Sequence, residues 1–204
     1  MDSELALIEE RLAKLPACLE SLKLLALRYL QRGRCVKDGA IRLGRYRKYE
    51  HDHYHITIFP PAEPDWLVRK RSYEMPLDYL QLLSYANGLN IFGLSFFGFA
   101  PSMQEDLPRL DRSRGQCLDL TLANETWNIN YKNTPNGSVY VGYRPYSEEN
   151  AGYFMDEAGS LCAMLKGGSR IKQWPSLWQL LSDEIQKEER NVHDWNLTRQ
   201  PKHT

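Results

Sequence analysis

The hydrophobic positions of the first 60 residues predict two short helices followed by strands. Apolar residues recur at helical spacing on both sides of Pro16, which breaks the run or opens the second helix. After a turn at Lys37 to Gly39, the chain from Ile41 to Phe59 is rich in Tyr, Ile and Thr and has no internal proline, as is typical of strands. The two helical stripes are Leu5, Ile8, Leu12 and Leu15, and then Leu19, Leu22, Ala26 and Tyr29.

A further helix is predicted between Pro76 and Gly88. Proline suits the first turn of a helix, where its missing N–H is not needed, and the Asn87-Gly88 pair provides a left-handed stop. The apolar stripe of this helix contains Leu77, Leu80 and Leu83, with Leu82 and Ala86 beside it. From Ile91 to Ala100 the chain predicts a short apolar strand, and the charged residues 101–115 predict a surface loop.

The last third of the chain predicts strands and a final helix. Alternation from Trp127 to Tyr131 predicts a strand that pairs with Val139 to Tyr143 through a turn at Pro135-Asn136-Gly137, whereas Leu118 to Leu122 fits either a helix or a strand. A second hairpin is expected around Asp156 to Gly159, and Ser176 with Gln179 forms a capping box for the last helix. Because the strands do not alternate regularly with helices, the predicted fold class is α+β with a mainly antiparallel sheet.

Pro60-Pro61-Ala62-Glu63-Pro64 is the clearest break in the chain, since clustered prolines form stiff, extended connectors. We therefore divide the chain into an N-terminal extension (1–62), a main domain (65–190) and a frayed polar tail (191–204).

The main domain resembles the SMI1/KNR4 family, also called the SUKH superfamily, over roughly residues 65–190. The resemblance is carried by an ordered set of elements rather than by one motif, and its helix begins with Met-Pro where the family has a Leu-Pro-like start. The elements are Met75-Pro76, the helix with Tyr79 to Leu83, Asn87-Gly88, the strand with Gly93 and Gly98, an aromatic strand ending near Tyr131, Val139 to Gly142, Gly152-Tyr153 and Ser176-Leu177-Trp178.

This resemblance implies an α+β domain that binds a protein partner and shares no catalytic residue set with its relatives. Bacterial members often act as immunity proteins, which bind and neutralise toxin domains delivered between competing cells. Fungal members are linked to cell-wall synthesis and signalling. The first ~60 residues lie outside the resemblance.

Composition excludes some classes of function. Lys and Arg total 26 and Asp and Glu total 26, so the balance indicates no surface for tracking phosphates and no acidic nucleic-acid mimic. The acidic start of the chain is unlike a secretion signal, and no run approaches the ~18 apolar residues that a membrane span needs. The scattered Cys18, Cys35, Cys117 and Cys162 are expected to be reduced and buried. These features predict a cytoplasmic protein that contacts neither membrane nor nucleic acid directly.

His51, His53 and His55 would line one face of a strand at intervals of about 6.6 Å. Three imidazoles in a row suggest a metal site, and His55-Ile56-Thr57 matches half of a two-histidine phosphoesterase, although no second His-x-Ser/Thr follows. A polar strand face is the simpler interpretation. Asp156-Glu157 and Asp183-Glu184 are expected to be solvated, and Gly167-Gly168 lacks the Lys-Ser/Thr of a phosphate loop, so we expect no cofactor.

Aromatic residues mark the predicted partner surface. The chain has 12 Tyr and 5 Trp, and such side chains anchor interfaces because they combine a large rigid area with a polar tip. Tyr143-Arg144-Pro145-Tyr146 is expected on a loop, with carboxylates close behind it. The candidate partner-binding residues are Trp127, Tyr131, Tyr143, Arg144, Tyr146, Glu148 and Glu149.

Three functions remain open from the sequence. The first is a non-enzymatic immunity protein that neutralises a toxin by direct binding. The second, from another class, is a phosphoesterase or metal-dependent hydrolase built around His51 to His55. The third is a regulatory scaffold module that has no toxin partner.

Overall fold

A computed structural model describes residues 2–46, 53–69, 75–99, 118–146 and 149–198. Within these ranges, the side chains at positions 46, 53, 66, 68, 69, 127, 146, 188, 189 and 191–198 are not described. The fold class is α+β, as predicted: helices flank a sheet in which all pairings between the described strands are antiparallel.

In the described part of the chain, nine strands form a single sheet in which each strand pairs with the next one along the sequence. Most neighbouring strands are joined by short turns, whereas the connections after the third and the fifth strand contain helices. The strands are β1 (Arg34–Lys37), β2 (Ala40–Tyr46), β3 (His53–Ile58), β4 (Leu89–Ile91), β5 (Leu94–Phe96), β6 (Val139–Tyr146), β7 (Glu149–Met155), β8 (Leu161–Met164) and β9 (Arg170–Trp174).

The helices contribute apolar stripes to one main core, which includes Leu22 and Tyr29 from the first third, Tyr79 from the middle and Leu180 from the last helix. The helices are α1 (Ser3–Ala13), a 3-10 turn (Ala17–Leu19), α2 (Glu20–Leu30), α3 (Pro64–Arg69), α4 (Leu77–Tyr85), α5 (Leu120–Leu122) and α6 (Leu177–Thr198). A π-helical turn (Ala123–Trp127) and a 3-10 turn (Asn128–Asn130) continue α5, and residues 120–130 are called the α5 segment below.

The N-terminal extension joins the main domain directly, because β3 pairs with β4 across the proline-rich connector. The rings of Tyr29, His55 and Phe92 also form a cluster with centroids 5.2 to 5.6 Å apart. Phe92 has a left-handed φ of 49° in the turn between β4 and β5, which helps this hairpin to turn tightly. The extension and the domain therefore share one sheet and one core.

Several local predictions are confirmed. The turn after β1 contains Asp38 and Gly39 with positive φ, and β7 pairs with β8 as the expected second hairpin. The backbone N–H of Gln179 donates to the Ser176 Oγ at 3.2 Å, which is the expected N-cap of α6. The side chain of Gln179 instead donates to Asp183, so only half of the capping box forms.

α4 ends at Tyr85 and the next residue, Ala86, is extended, so the predicted left-handed stop does not form the helix end, and only Gly88 of the pair has a positive φ. Asn87 has another role. Its side-chain amide donates to the Phe99 carbonyl and accepts from the Phe99 N–H, both at 2.7 Å. A Cβ at Gly98 would lie 2.3 Å from the Asn87 carbonyl oxygen, so only glycine allows the segments around Asn87 and Gly98 to approach each other this closely. The Asn87 side chain thus fixes the chain that follows the β4–β5 hairpin.

Four other predictions about elements are wrong. Residues 127–131 begin in helical turns and not in a strand, so β6 pairs with β5 and β7 instead. The single strand predicted from Ile91 to Ala100 does not form: Ile91 ends β4, Leu94–Phe96 is β5, and Ala100 lies outside the described residues. Leu77 is 81% exposed because it is the first residue of α4, while Tyr79 takes the buried position. The last helix continues to Thr198 where a frayed tail was expected from Asn191.

Candidate partner-binding site

A pocket of about 300 Å³ opens between the α5 segment and one face of the sheet. Two of the predicted partner-binding residues, Tyr131 and Tyr143, line it. We call it the tyrosine pocket. Its lining residues are Leu118, Asn130, Tyr131, Tyr140, Tyr143, Asn150 and Lys166.

Gly152 makes room for the Tyr131 ring at the base of this site. An added Cβ at Gly152 would lie 2.7 Å from the Tyr131 Cζ and 2.9 Å from a Phe154 ring carbon. Real Cβ contacts do not occur at such distances, so the ring can lie flat against β7 only above a glycine. The lack of a side chain at Gly152 therefore shapes the pocket.

Aromatic packing holds the tyrosine rings in place. Tyr140 stacks on Phe154 with centroids 5.0 Å apart, and the Tyr131 centroid lies 5.3 Å from each of these two rings. The Tyr131 hydroxyl lies 3.4 Å from that of Tyr140 and donates to the Asn150 carbonyl oxygen at 3.3 Å. This wall of the pocket is therefore rigid and ends in polar groups.

The hydroxyls of Tyr131 and Tyr140 keep their protons. Burial raises the pKa of Tyr131 and of Tyr140, and the neighbouring Tyr143 hydroxyl adds to both shifts. A protonated phenol can both donate and accept a hydrogen bond. The pocket therefore offers neutral hydrogen-bonding groups on a rigid aromatic frame, rather than a phenolate base.

Asn124 of the α5 segment fixes β6 beside the pocket. Its amide oxygen accepts from the Tyr140 N–H at 2.8 Å, and its amide nitrogen donates to the Tyr140 carbonyl at 2.9 Å. The register of β6 on β7 shifts between Tyr140 and Gly142, and β5 pairs only with Gly142 and Tyr143. The side-chain amide thus replaces a strand partner for Tyr140.

Arg144 does not lie on an exposed loop, contrary to the prediction. It lies within β6, and its guanidinium forms an ion pair with Glu184 of α6. The side chain of Arg144 is 12% exposed and that of Glu184 is 6% exposed. The prediction that Asp183-Glu184 is solvated is therefore wrong for Glu184, because the sequence does not show which helix face meets β6. Arg144 supports the sheet and is not free to contact a partner.

The other predicted partner residues are scattered relative to the pocket. Tyr131 is only 7% exposed, and Tyr143 is partly buried. Glu149 begins β7, directly before Asn150 of the pocket. The backbones of Trp127 and Tyr146 lie in the π-helical turn and in β6, and Glu148 lies outside the described residues.

Sequence reasoning missed Leu118 of the pocket and four of its polar residues, Asn130, Tyr140, Asn150 and Lys166. Tyr140 belonged to the aromatic cluster of the sequence but was not selected. The other three are ordinary polar residues in turns or at strand ends, and they become neighbours only through the pairing of β6, β7 and β8. No local pattern could have identified them.

The histidine strand is only partly described. His51 lies outside the described residues, and of His53 only the backbone in β3 is described. The His55 ring packs against Tyr29 and Phe92, and burial, followed by the charge of Arg32, lowers its pKa. Among the residues that the structure describes, no group of three or more His, Cys, Asp or Glu side chains could hold a metal ion.

The described cysteines are free thiols. Cys162 is buried as expected, whereas Cys18 and Cys35 are half-buried and Cys117 lies outside the described residues. Burial raises the pKa of Cys18 and of Cys162, which favours the unreactive thiol form.

Asp156 accepts from the Ser160 N–H at 2.8 Å and so closes the β7–β8 turn.

No helix in the described residues has both the length and the apolar character that crossing a bilayer requires.

Comparison with known proteins gave no relative: no protein-family model matches the chain, and searches of curated proteins and of solved structures gave no significant match.

Proposed function

We propose that this chain is a non-enzymatic binding protein of the immunity type, which neutralises a toxin by forming a stoichiometric complex with it. The proposal combines the SUKH resemblance with one observation: a pocket lined by three tyrosines on a rigid frame, of which Tyr131 and Tyr140 are buried and Tyr143 is partly buried. Rigid aromatic side chains with polar tips are the usual anchors of protein interfaces, because little conformational entropy is lost when they bind.

Ile129 extends this surface. It is 79% exposed in the 3-10 turn directly before Asn130, which lines the pocket. A large exposed apolar side chain beside a polar pocket is typical of the centre of an interface, where apolar contact and hydrogen bonds combine. We propose that the toxin covers Ile129 and the mouth of the tyrosine pocket together.

Co-expression with the protein encoded by the adjacent gene tests this function. Its C-terminal domain should arrest growth alone, and the wild-type chain should restore growth and co-purify with that domain in equal amounts. A toxic domain that this protein neither binds nor neutralises would overturn the proposal. Binding without rescue would instead support the regulatory scaffold module.

Two substitutions of the same kind locate the interface. Ile129→Asp adds a charge beside the pocket, whereas Leu77→Asp adds one at a residue that is equally exposed, 81% against 79%, but lies at the start of α4. The Ile129 variant should lose rescue and weaken binding by at least about tenfold, because a buried unpaired charge disfavours association. The Leu77 variant should behave as wild type. Equal effects of the two changes would place the interface elsewhere.

A further inference from the structure

The charge of the tyrosine pocket is one-sided. Among the described residues that line it, Lys166 is the only charged one and none carries a carboxylate. The remaining polar groups are tyrosine hydroxyls and asparagine amides, which are groups that can donate hydrogen bonds, and of these the Tyr131 hydroxyl already donates to the Asn150 carbonyl oxygen. A lining of donors and one ammonium group favours a ligand with acceptor oxygens and a negative charge.

The strand register brings more positive charge to the same side. Tyr143 pairs with Gly152, Gly152 with Met164, and Met164 with Arg170, so the side chain of Arg170 belongs to the face of the sheet that carries Tyr143. The Lys132 N–H donates to the Lys166 carbonyl at 3.2 Å, which joins the segment after Tyr131 to the β8–β9 turn. Lys132, Lys166 and Arg170 are all exposed.

Lys132 and Lys166 form no ion pair with another described residue, and Arg170 donates to the neutral Gln173 side chain at 3.1 Å. One acid lies nearby: the charge of Glu149 helps to raise the pKa of Tyr131. Among the described residues, Lys166 lies in the pocket lining and Glu149 is close enough for its charge to act on Tyr131. Lys166 disfavours a cationic guest held by the tyrosine rings, because the two positive charges repel each other.

We propose that the tyrosine pocket receives an aspartate or glutamate side chain from an acidic loop of the partner protein, with the carboxylate beside Lys166. A volume of about 300 Å³ admits one or two side chains and no folded element. The tyrosine rings then contact the aliphatic part of the guest, and the hydroxyl and amide groups complete the hydrogen bonds of the carboxylate. This inference rests on the proposed protein-binding function and specifies the chemistry of the partner.

NMR titration of the full chain with short capped peptides tests the proposal without the toxin. The probe is Gly-Glu-Asp-Glu-Gly, and its uncharged counterpart is Gly-Gln-Asn-Gln-Gly. The acidic peptide should shift the side-chain amide signals of Asn130 and Asn150, and the shifts should reach saturation. Added salt should weaken the binding of this peptide. The uncharged peptide should leave these signals nearly unchanged, since charged groups guide such recognition.

A pair of charge reversals provides the matched control. Lys166→Glu should lower the affinity for the acidic peptide about fivefold or more, because an attractive contact becomes a repulsive one. Lys187→Glu makes the same change on α6, which packs on the opposite face of the sheet, as the neighbours Tyr143 and Arg144 show. That variant should bind like wild type.

Equal shifts with both peptides, shifts remote from Asn130 and Asn150, or equal effects of the two reversals would overturn the assignment. The growth-rescue test is separate from these readouts. Rescue by both the wild type and Lys166→Glu, with equal toxin affinity, would refute the acidic guest and leave the immunity function intact. Saturable binding of the acidic peptide without toxin neutralisation would refute the immunity function alone.

Discussion

The side-chain amide of Asn124 forms hydrogen bonds with both the N–H and the carbonyl of Tyr140, at 2.8 and 2.9 Å. It also donates to the Leu120 carbonyl at 2.9 Å, so one buried side chain satisfies three backbone groups. Asn87 binds Phe99 in the same two-way manner. In both places an amide side chain takes the role of a strand neighbour where regular pairing is incomplete.

Asn124→Leu should lower the free energy of unfolding by about 2–4 kcal/mol, because leucine has a similar size but leaves the N–H and carbonyl of Tyr140 buried without partners. Urea denaturation measures this change. Asn136→Ala, at an exposed position in the turn before β6, should stay within about 0.5 kcal/mol of wild type. A similar loss for both variants would mean that the Asn124 hydrogen bonds contribute little.

Gly152→Ala should lower the melting temperature and open the tyrosine pocket, because the added methyl group collides with the Tyr131 and Phe154 rings. We expect a cost of about 1–3 kcal/mol, the usual range for an overpacked core, together with shifted aromatic NMR signals. Gly167→Ala is the matched control, since a Cβ there meets nothing within 4 Å. If Gly152→Ala is as stable as Gly167→Ala, the ring does not lie against β7.

Glu184→Leu should destabilise the protein by about 3 kcal/mol, because it leaves the guanidinium of Arg144 buried without its partner. Arg144→Met in the same chain should recover most of that loss, since a buried ion pair is often replaceable by apolar residues. Urea denaturation of both single variants and of the double variant gives the coupling between the two residues. Additive losses would argue that the two side chains do not form a buried pair in solution.

Acidification should destabilise the fold through His55. Burial and the charge of Arg32 lower its pKa below the ordinary value of 6.5, so the unfolded chain takes up the proton first as the pH falls. The contribution to stability is therefore complete above pH 6.5 and is lost as the pH falls through the lower pKa of the folded state. Urea denaturation between about pH 7.5 and 5 should show this decline.

His55→Phe should remove this part of the decline, because phenylalanine packs against Tyr29 and Phe92 without titrating. The carboxyl groups of Asp2, Glu10 and Asp183 also have lowered pKa values, but their losses begin near their ordinary values of 3.8 to 4.5 and so at lower pH. An unchanged slope in the variant between pH 6.5 and 5 would assign the effect to other groups.

Local signals predicted the parts of the fold that local chemistry controls. Pro76 marks the start of α4 and Ser176 caps α6, because caps and turns involve only residues a few positions apart, whereas α4 ends at Tyr85, before the predicted stop at Asn87-Gly88. Residues 127–131 misled the prediction, since their alternation satisfies a strand pattern while Asn124 and Asp119 support helical turns. Asp119 accepts from the Leu122 N–H at 2.8 Å, an N-cap that an ambiguous five-residue pattern did not reveal.

The sequence predicted which residue types form the candidate site but not where in the fold they meet. The aromatic content pointed to Tyr131 and Tyr143, and both line the tyrosine pocket. Arg144 and Glu184 lie 40 residues apart, and their pairing depends on which face of α6 meets β6. Tertiary packing decides which helix face meets the strand, and neither local sequence indicates it.

The sequence by itself determined the fold class, the N-cap of α6, the turn after β1, the β7–β8 hairpin and the tyrosine-rich character of one region, because periodicity and backbone propensities act over a few residues. Only the tertiary structure decided that the extension continues the sheet through β3 and β4, that Gly152 seats the Tyr131 ring, and that Lys166 lies at the tyrosine pocket. These relationships join residues far apart in the chain, and the register of a nine-stranded sheet is set by all its strands together.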